Sequence, residues 1–585
     1  MLSLRWCCTL LVPLALLLLA LRSPADPPEA ASIGRKIPNF TLNDTAGKPC
    51  ALDDFKDKKA VVVLFLGTEC PINNAYLPRL AELHKEYAAK GVQFLAINAN
   101  EPDTADRVAE HAKKHAIPFP VLKDEGGVAD LFAAARTPEA FLLDSQFTVR
   151  YRGRIDDQFG VGYQRPAPRC RDLAEAIDDL LAGKPVRVPA TPVAGCVIAR
   201  SPKPKGDATI TYARDVAPIL QKHCQECHRP GQIGPMPLLS YRSASSWSET
   251  IKEVVQEERM PPWHADPRFS KFSNDRRLSK QEKATLLGWI EQGCPKGDDK
   301  DLPPPRAFAE GWRIGKPDAV IPMDRTYTVP AKADRNGIRY QYFVVPTNFK
   351  EDVWVQAAEA KPGNRAVVHH IIAYVADPKN LKRDRADGIG DGFLVGYAPG
   401  DMPAVYEPGQ AKKIPKGSYL VFQMHYTPAG TEQTDRSAVG LVFAKEPPKL
   451  QVKTRAIAQH RLNIPPGEAN HKVESATTFP QETLLINMLP HMHLRGKSFE
   501  YRVVYPDGKR ETLLSVPRYD FNWQTYYRLE KPLRLPAGTR IECTAYFDNS
   551  AANPNNPDPT KLVRWGEQTW DEMMIGFVDY VPLEK

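Results

Sequence analysis

The 585-residue sequence lacks a long apolar run, a block of basic residues and a dense cysteine framework. The uncharged apolar run at residues 6–21 is shorter than the roughly 20 residues that a membrane-spanning helix needs, and 25% of all residues are charged. These two features exclude a polytopic membrane protein. The 78 basic and 70 acidic residues are spread along the whole length, so nucleic acid is not an expected partner.

Proline, in contrast, is abundant. The 55 prolines are about 9% of the sequence, compared with a usual value of about 5%. Because proline interrupts helices and sheet interiors, this excess excludes an all-α protein and favours loops, strand edges and linkers. The length predicts several domains of about 150 residues each, and the hydrophobic content of 42% excludes wholesale disorder.

The N-terminus has the three regions of a secretory signal. Arg5 precedes the apolar run, and small residues follow it among prolines, namely Ser23, Ala25, Ala30 and Ala31. We therefore predict a signal peptide at residues 1–31, a periplasmic or secreted location and no stable membrane span after cleavage. An uncleaved anchor is the alternative.

Residues 32–200 alternate strand and helix patterns, which is typical of an α/β domain. Cys70 follows the apolar strand pattern at residues 61–66 and precedes a predicted helix, whose N-terminus lowers the pKa of a thiol. The segment 136–139, which contains Pro138, is typical of the cis-proline loop that faces the active cysteine in thioredoxin-like proteins. The region resembles the redoxin and thioredoxin family, which implies a catalytic role for Cys70.

The C-P-I-N motif that begins at Cys70 differs from the family at its last position, where Asn73 replaces the second cysteine. The site therefore cannot close an internal C-x-x-C disulfide. Cys70 would act with a distant resolving cysteine, for which Cys50, Cys170 and Cys196 are candidates, or would contact a metal or a partner disulfide. A docking domain with a residual cysteine is the alternative.

A C-Q-E-C-H motif contains Cys224, Cys227 and His228, and it follows a proline- and lysine-rich linker and an amphipathic segment at residues 212–220. Two thiols one helical turn apart can bind the two vinyl carbons of a porphyrin, and the next histidine can bind its iron. We predict one haem c here, in a small all-α domain at residues 207–300 that resembles cytochrome c. A two-cysteine metal knuckle and a thioredoxin-like C-x-x-C are the alternatives.

Met260 is the predicted second axial ligand of this haem. It lies between a predicted helix end and two prolines in the R-M-P-P-W segment. Methionine and histidine ligation raises the reduction potential and suits electron transfer. Met236 follows His228 closely and is the poorer candidate, whereas His264 could replace Met260.

Beyond residue 301, short alternating segments replace the helical periodicity, which predicts β-sandwiches at residues 301–450 and 451–585. Histidines two residues apart on a strand point to one face and can bind one metal ion. Two imidazoles together with a thioether select copper that cycles through Cu(I). The clustered histidines occur in the motifs V-H-H-I, M-H-Y and H-M-H-L and are His369, His370, His425, His491 and His493.

These motifs resemble those of the copper type II, ascorbate-dependent monooxygenases, the family of peptidylglycine hydroxylase and dopamine hydroxylase. The adjacent histidines, the H-x-H-L-x-G-K string and the D-E-M motif at residues 571–573 occur in the family's order. The resemblance implies two jelly-roll-like sandwiches and two copper ions. His369, His370 and His425 would hold the electron-storing copper. His491, His493 and Met573 would hold the oxygen-activating copper, with Met574 as the alternative thioether.

The predicted function is an exported copper-dependent monooxygenase that acts on a small organic substrate and O2, with the fused haem domain as electron donor. A redox partner protein is a further expectation. Leu489 stands where peptide-processing members have a carboxylate-binding arginine, so a peptidylglycine substrate is not expected. Met574 stands where the family has a cysteine, so Cys543 is expected to be unpaired. An electron-transfer or copper-handling protein without enzymatic activity is the alternative.

Overall fold

The computed structural model describes residues 33–125, 127–165, 167–333, 337–379, 392–398 and 402–583. The predicted signal peptide lies outside these residues. Within the described ranges, no helix is both long enough and apolar enough to cross a membrane.

The N-terminal domain is an α/β domain, as predicted. Its elements are β1 (Thr41–Asp44), β2 (Pro49–Ala51), β3 (Ala60–Phe65), α1 (Pro71–Ala88), β4 (Val92–Asn98), α2 (Ala105–Lys114), β5 (Val121–Lys123), α3 (Val128–Leu131), β6 (Arg136–Thr137), β7 (Glu139–Asp144), β8 (Val149–Gly153), β9 (Phe159–Gly160), β10 (Tyr163–Gln164), α4 (Asp172–Leu181) and β11 (Cys196–Val197).

Seven of these strands form one mixed sheet in the order β2-β1-β5-β4-β3-β7-β8. Strand β3 lies inside the sheet and is buried along its whole length, which explains its uninterrupted apolar sequence. Its side chains alternate between two cores: Val62 packs in a core with α1 and α4, and Val63 packs in a core with α3. Residue 70 follows this central strand, so the fold places Cys70 at the end of a rigid element.

A helical segment follows the α/β domain. A π-helical turn at Tyr212–Val216 leads into α5 (Ala217–His223), and α6 (Tyr241–Ser246), α7 (Ser248–Gln256) and α8 (Lys280–Glu291) come next. Trp247 and Trp289 are fully buried in the core of these helices. The stretch between α7 and α8 behaves differently, because Trp263 and Phe272 pack in the core of the C-terminal β region. This stretch therefore attaches the helical segment to the C-terminal β region.

Two large sheets that share one core, together with one two-stranded sheet, make up the first half of the β region. The strands are β12 (Ala319–Pro322), β13 (Tyr327–Val329), β14 (Gln341–Pro346), β15 (Val353–Lys361), β16 (Val368–Ala376), β17 (Phe393–Tyr397), β18 (Ala404–Val405), β19 (Gln410–Ile414), β20 (Tyr419–Tyr426), β21 (Gln433–Asp435), β22 (Ala438–Phe443) and β23 (Leu450–Gln451). One sheet runs β12-β22-β15-β19-β23 with β18 beside β15, and the other runs β14-β20-β16-β17. Apolar side chains of both sheets, including Val355 and Phe422, fill the space between them.

The second half of the β region repeats this plan. Its strands are β24 (Lys453–Ala458), β25 (Asn463–Ile464), β26 (His471–Thr478), β27 (Thr483–His491), β28 (Gly496–Val504), β29 (Arg510–Val516), β30 (Tyr527–Leu535), β31 (Arg540–Phe547), β32 (Val563–Arg564) and β33 (Ile575–Pro582). The sheets run β24-β33-β27-β30 and β26-β31-β28-β29 around a common core. The prediction of a large all-β C-terminal region is confirmed.

The two halves pack against each other through their inner sheets. Tyr374 of β16 and Phe577 of β33 belong to one shared apolar cluster. The Lys412 ammonium lies 3.2 Å from the Asp579 carboxylate, and both side chains are almost fully buried. Lys412 also donates a hydrogen bond to Thr454, so this ion pair joins β19 of the first half to β24 and β33 of the second half. The interface fixes the position of β16 and β20 relative to β27.

Candidate functional site

Cys70 is the N-cap residue of α1 and has no exposed surface. Its thiol donates a hydrogen bond to the carbonyl oxygen of Thr137 at 3.1 Å. Burial raises the pKa of Cys70, but hydrogen bonds from the Cys196 thiol and the Asn73 backbone N–H outweigh burial and lower that pKa to about 7. A larger share of the Cys70 thiols would therefore be ionised at neutral pH than for an unperturbed cysteine.

Asn73, which replaces the second cysteine of a C-x-x-C motif, has a structural role. Its amide group donates to the Gly67 carbonyl oxygen at 2.7 Å and accepts from the Gly67 N–H at 3.3 Å. The fully buried side chain thereby ties the first turn of α1 to the end of β3. A shorter or apolar residue at position 73 would leave the buried Gly67 groups without these partners.

Among the three candidate resolving cysteines, Cys196 lies beside Cys70. Strand β11 pairs with β6 so that Cys196 is directly opposite Thr137. Cys50 lies on β2 at the far edge of the sheet, and Cys170 is exposed in the loop before α4. The sequence named all three candidates, and the structure brings one of them to Cys70.

A buried ion pair supports the loop that faces Cys70. The Arg152 guanidinium donates to the Glu139 carboxylate at 2.6 Å, and both side chains are nearly inaccessible to solvent. The other Glu139 oxygen accepts from the N–H groups of Ala135 and Arg136 at 2.8 and 3.1 Å. Glu139 therefore holds the residues that precede the cis peptide bond between Thr137 and Pro138.

The C-x-x-C-H motif directly follows α5. His228 donates from Nδ1 to the Met236 carbonyl oxygen at 3.1 Å, which leaves Nε2 available for a metal. Gly234 packs so closely that a Cβ atom there would lie 2.7 Å from the Cys227 carbonyl oxygen and 2.8 Å from His228 Cγ. The Met236 side chain lies in the helical core, so this methionine supports the histidine through its backbone.

A cavity of about 1770 Å³ opens beside this motif. Cys224, Cys227, His228 and Met260 line it together with apolar residues of α7 and α8. His264, the alternative axial ligand, lies between Trp263 and Ala265, which both pack in the C-terminal β core. Met260 therefore lines the same cavity as the C-x-x-C-H motif, and His264 is not among the lining residues.

The same cavity reaches the thiol site and the histidines. Cys70, Cys196, His369 and His425 are among its lining residues. A carboxylate joins two of its walls: Glu253 of α7 accepts from Arg136 at 2.6 Å and from Arg259 at 2.5 Å. Arg136 precedes Thr137 and Arg259 precedes Met260, so one side chain connects the thiol loop to the methionine loop.

His369 and His370 on β16 and His425 on β20 converge on one point. One ligand atom from each lies within 4.8 Å of the other two, and the Nδ1 atoms of His369 and His370 are 3.2 Å apart. His370 Nε2 and His425 Nδ1 are buried without a hydrogen-bond partner. Burial, followed by repulsion from neighbouring imidazoles, lowers the pKa of His370 and His425 well below the usual value, so both rings are neutral.

His491 and His493 lie at and just beyond the end of β27, with ring centroids 5.2 Å apart. His491 donates from Nδ1 to the Gln524 side-chain oxygen at 2.7 Å, and His493 donates from Nδ1 to the Asp571 carbonyl oxygen at 3.3 Å. Both Nδ1 atoms are therefore occupied, and the buried Nε2 of His493 has no partner. Burial lowers the pKa of His491 to about 4, so its ring is neutral as well.

Met573 lies two residues before β33 begins. The last paired residues of β27 and β33 are His491 and Ile575, so Met573 and His493 each lie two residues beyond this last pair, at the same end of two neighbouring strands. Met573 is 3% exposed and packs in the cluster between the two halves of the β region. The alternative, Met574, packs instead in the core of the C-terminal half. The two adjacent side chains therefore pack in different cores.

Residues that were not singled out from the sequence hold this arrangement together. The fully buried Glu572 carboxylate accepts from the N–H groups of His493 and Arg495 at 2.8 and 2.6 Å. The Phe521 ring lies between the two histidine groups, 5.3 Å from the ring of His369 and 5.9 Å from the ring of His493. Glu572 could have been found from the sequence, because it adjoins Met573 in the D-E-M motif. No sequence pattern indicated Phe521.

Comparison with known proteins identifies the N-terminal domain. Residues 33–152 match the AhpC/TSA family. The thiol-disulfide oxidoreductase ResA of Bacillus thuringiensis subsp. konkukian (strain 97-27) is 37% identical over 122 residues, which cover 21% of this chain and 69% of the relative. The chain belongs, through this domain, to the AhpC/TSA family. ResA of Bacillus subtilis (strain 168) is 34% identical over 122 residues, covering 21% of this chain and 66% of the relative.

A solved structure is similar to part of the chain. A hypothetical protein from Sinorhizobium meliloti 1021 is 35% identical and covers 28% of this chain and 93% of that protein, with a TM-score of 0.27. The prediction of a thioredoxin-like α/β domain is confirmed by the family match. The AhpC/TSA match ends at residue 152, ahead of the C-x-x-C-H motif and the histidine clusters, so the haem and copper assignments stay predictions.

Proposed function

We propose that the chain is an exported copper-dependent monooxygenase in which a c-type haem domain and an AhpC/TSA thiol domain are fused to the copper-binding sandwiches. The observation that carries the proposal is the convergence of His369, His370 and His425, whose ligand atoms lie within 4.8 Å of one another. Buried ring nitrogens without hydrogen-bond partners are costly, and a metal ion would satisfy them.

The second group supports the same conclusion by its donor set. Hydrogen bonds occupy Nδ1 of both His491 and His493, which fixes the tautomers and directs Nε2 to a metal. With Met573 as third donor, two imidazoles and a thioether favour copper in both oxidation states. Copper in the two groups would supply electron storage and oxygen activation for insertion into a C–H bond of a small organic substrate.

The helical segment fits a covalently bound haem. Cys224 and Cys227 lie one turn apart, His228 presents Nε2, and Met260 lines the adjoining apolar cavity. The haem would supply single electrons. His369 and His425 line the same cavity, so an electron donor bound there would share it with the first histidine group.

Metal content tests the coordination. We expect the haem-loaded full chain to bind two copper ions, and His425→Ala and His491→Ala each to lose one, because each removes one donor from a different group. His471→Ala is the matched control, since His471 lies on β26 outside both groups. Inductively coupled plasma mass spectrometry measures the ratio of copper to protein. Loss of no copper in either variant would contradict the assignment.

Oxygen uptake separates the enzyme from a copper carrier. We expect the reduced, copper-loaded protein to consume O2 in the presence of an oxidisable small molecule, and Met573→Ile to abolish this uptake while copper stays bound by His491 and His493. The thioether stabilises Cu(I), which is the state that reacts with oxygen. An oxygen electrode measures the rate. Two bound copper ions without uptake across a panel of organic compounds would favour the electron-transfer or copper-handling alternative.

A further inference from the structure

Two thiols from distant parts of the sequence meet beside the cis-proline loop of the first domain. Cys70 donates its S–H to the Thr137 carbonyl oxygen at 3.1 Å, and Cys196 is paired directly opposite Thr137 in the ladder between β6 and β11. When Cys70 is a thiolate, it accepts hydrogen bonds from the Cys196 side chain and backbone. The two sulfur atoms are therefore neighbours although the C-x-x-C spacing is absent.

The approach of residues 195–197 to this loop is built into the sequence. A Cβ atom at Gly195 would lie 2.1 Å from the Thr137 carbonyl oxygen, so only glycine permits this packing. Arg136 donates to the Gly195 carbonyl oxygen at 2.8 Å and holds the segment from the other side. The position of Cys196 thus depends on two specific contacts.

None of the other described cysteines lies where it could form a disulfide with Cys70. Cys294 and Cys543 are fully buried in the cores of other parts of the chain. Cys50 and Cys170 lie away from the loop, as described above, and the other two belong to the predicted haem motif. Cys196 is the cysteine that the fold presents to Cys70.

We propose that Cys70 and Cys196 form a reversible disulfide that replaces the missing C-x-x-C couple, and that Cys196 is the cysteine that partner thiols attack. The partner is a dithiol. This inference goes beyond the proposed monooxygenase function and holds whether or not the chain binds copper.

Exposure and leaving-group chemistry assign the two roles. Cys70 has no exposed surface and Cys196 is half-buried, so an incoming thiolate meets the Cys196 sulfur first. Attack there breaks the Cys70–Cys196 bond and expels Cys70 as a thiolate, which the N-terminus of α1 stabilises. The second partner thiol then attacks the mixed disulfide, forms the partner disulfide and releases Cys196. The partner loses two electrons, the cysteine pair gains them, and the Cys196 thiolate takes a proton from the partner.

Peptide mapping tests the disulfide in the haem-loaded full chain. After oxidation with diamide and blocking of free thiols, we expect non-reducing digestion and mass spectrometry to yield a peptide pair linked through Cys70 and Cys196. Cys196→Ser should remove that pair, and Cys170→Ser, which changes an exposed cysteine, should retain it. Free Cys70 after oxidation, or Cys70 linked to Cys50 or Cys170, would overturn the proposal.

A probe thiol tests the order of attack. Glutathione attacks the Cys70–Cys196 disulfide of the oxidised chain as the partner thiolate would, and iodoacetamide added at once alkylates the cysteine that leaves. We expect mass spectrometry to find glutathione on Cys196 and the alkyl group on Cys70. Glutathione on Cys70, or on both cysteines equally, would overturn the assigned roles. Unchanged circular dichroism and haem absorption show that the oxidised chain is folded.

Discussion

Replacing Glu139 with glutamine should destabilise the thiol domain far more than replacing an exposed partner on the same sheet. The carboxylate accepts three hydrogen bonds, one from Arg152 at 2.6 Å and two from the backbone N–H groups of Ala135 and Arg136. A glutamine side chain offers one oxygen and one NH2 group to these donors. At least one buried N–H would therefore face another donor, and the buried guanidinium would lose its counter-charge.

Removing one partner of a buried ion pair costs about 3–5 kcal/mol. For a domain of this size, each kcal/mol lowers the melting temperature by about 2–4 °C, so we expect a decrease on the order of 10 °C. Differential scanning calorimetry measures the shift, and hydrogen exchange of the β7 amides assigns the transition to this domain. The double variant Glu139→Gln with Arg152→Met should recover part of the loss, because it removes the unpaired charge.

Arg150→Met is the matched control. Arg150 pairs with Asp144 at 2.7 Å on neighbouring strands of the same sheet, but its side chain is 48% exposed. An exposed pair contributes about 0–1 kcal/mol, so this variant should melt within a few degrees of the unmodified chain. Equal melting temperatures for Glu139→Gln and Arg150→Met would refute the role given to the buried pair.

Three further predictions concern other parts of the chain. Gly234→Ala should lower the yield of covalent haem, measured by in-gel peroxidase staining, because the added Cβ would collide with the Cys227 carbonyl oxygen. Lys412→Met should destabilise the β region by about 3–5 kcal/mol in urea unfolding, because it leaves the Asp579 carboxylate buried without its partner. The alkylation rate of Cys70 should rise as the pH passes through about 7, because the depressed pKa ionises the thiol there; a midpoint near 9 would contradict this.

The sequence predicted the parts of the fold that depend on local patterns. Strand β3 was expected from its apolar run, and the structure places it at residues 60–65 inside the sheet. The helix expected after Cys70 begins at Pro71. Proline suits the first position of a helix, and the Asn73 side chain is held by Gly67.

Contacts between distant segments were beyond the reach of sequence patterns. The pairing of β11 with β6 joins residues on either side of α4, and no periodicity distinguishes Cys196 from Cys50 or Cys170. The same holds for Gln524, which fixes the tautomer of His491 from a loop far along the chain. Local motifs identified the histidines, because the spacing of residues on one strand determines which side chains lie close together. The groups that orient them required the folded chain.

The arrangement around the large cavity suggests how the fused domains influence one another. Glu253 contacts Arg136 beside the thiol loop and Arg259 beside Met260, so a change of charge at the cysteine pair acts on a side chain that also holds the methionine loop. Substitution of Glu253 by glutamine would weaken both ion pairs at once without replacing a cysteine or a predicted haem ligand. If the two sites are coupled through this carboxylate, Glu253→Gln should shift both the pH midpoint of Cys70 alkylation and the reduction potential of a bound haem, measured by redox titration. If neither the pH midpoint nor the reduction potential shifts, the charge at one site does not affect the other site, although both sites line the same cavity.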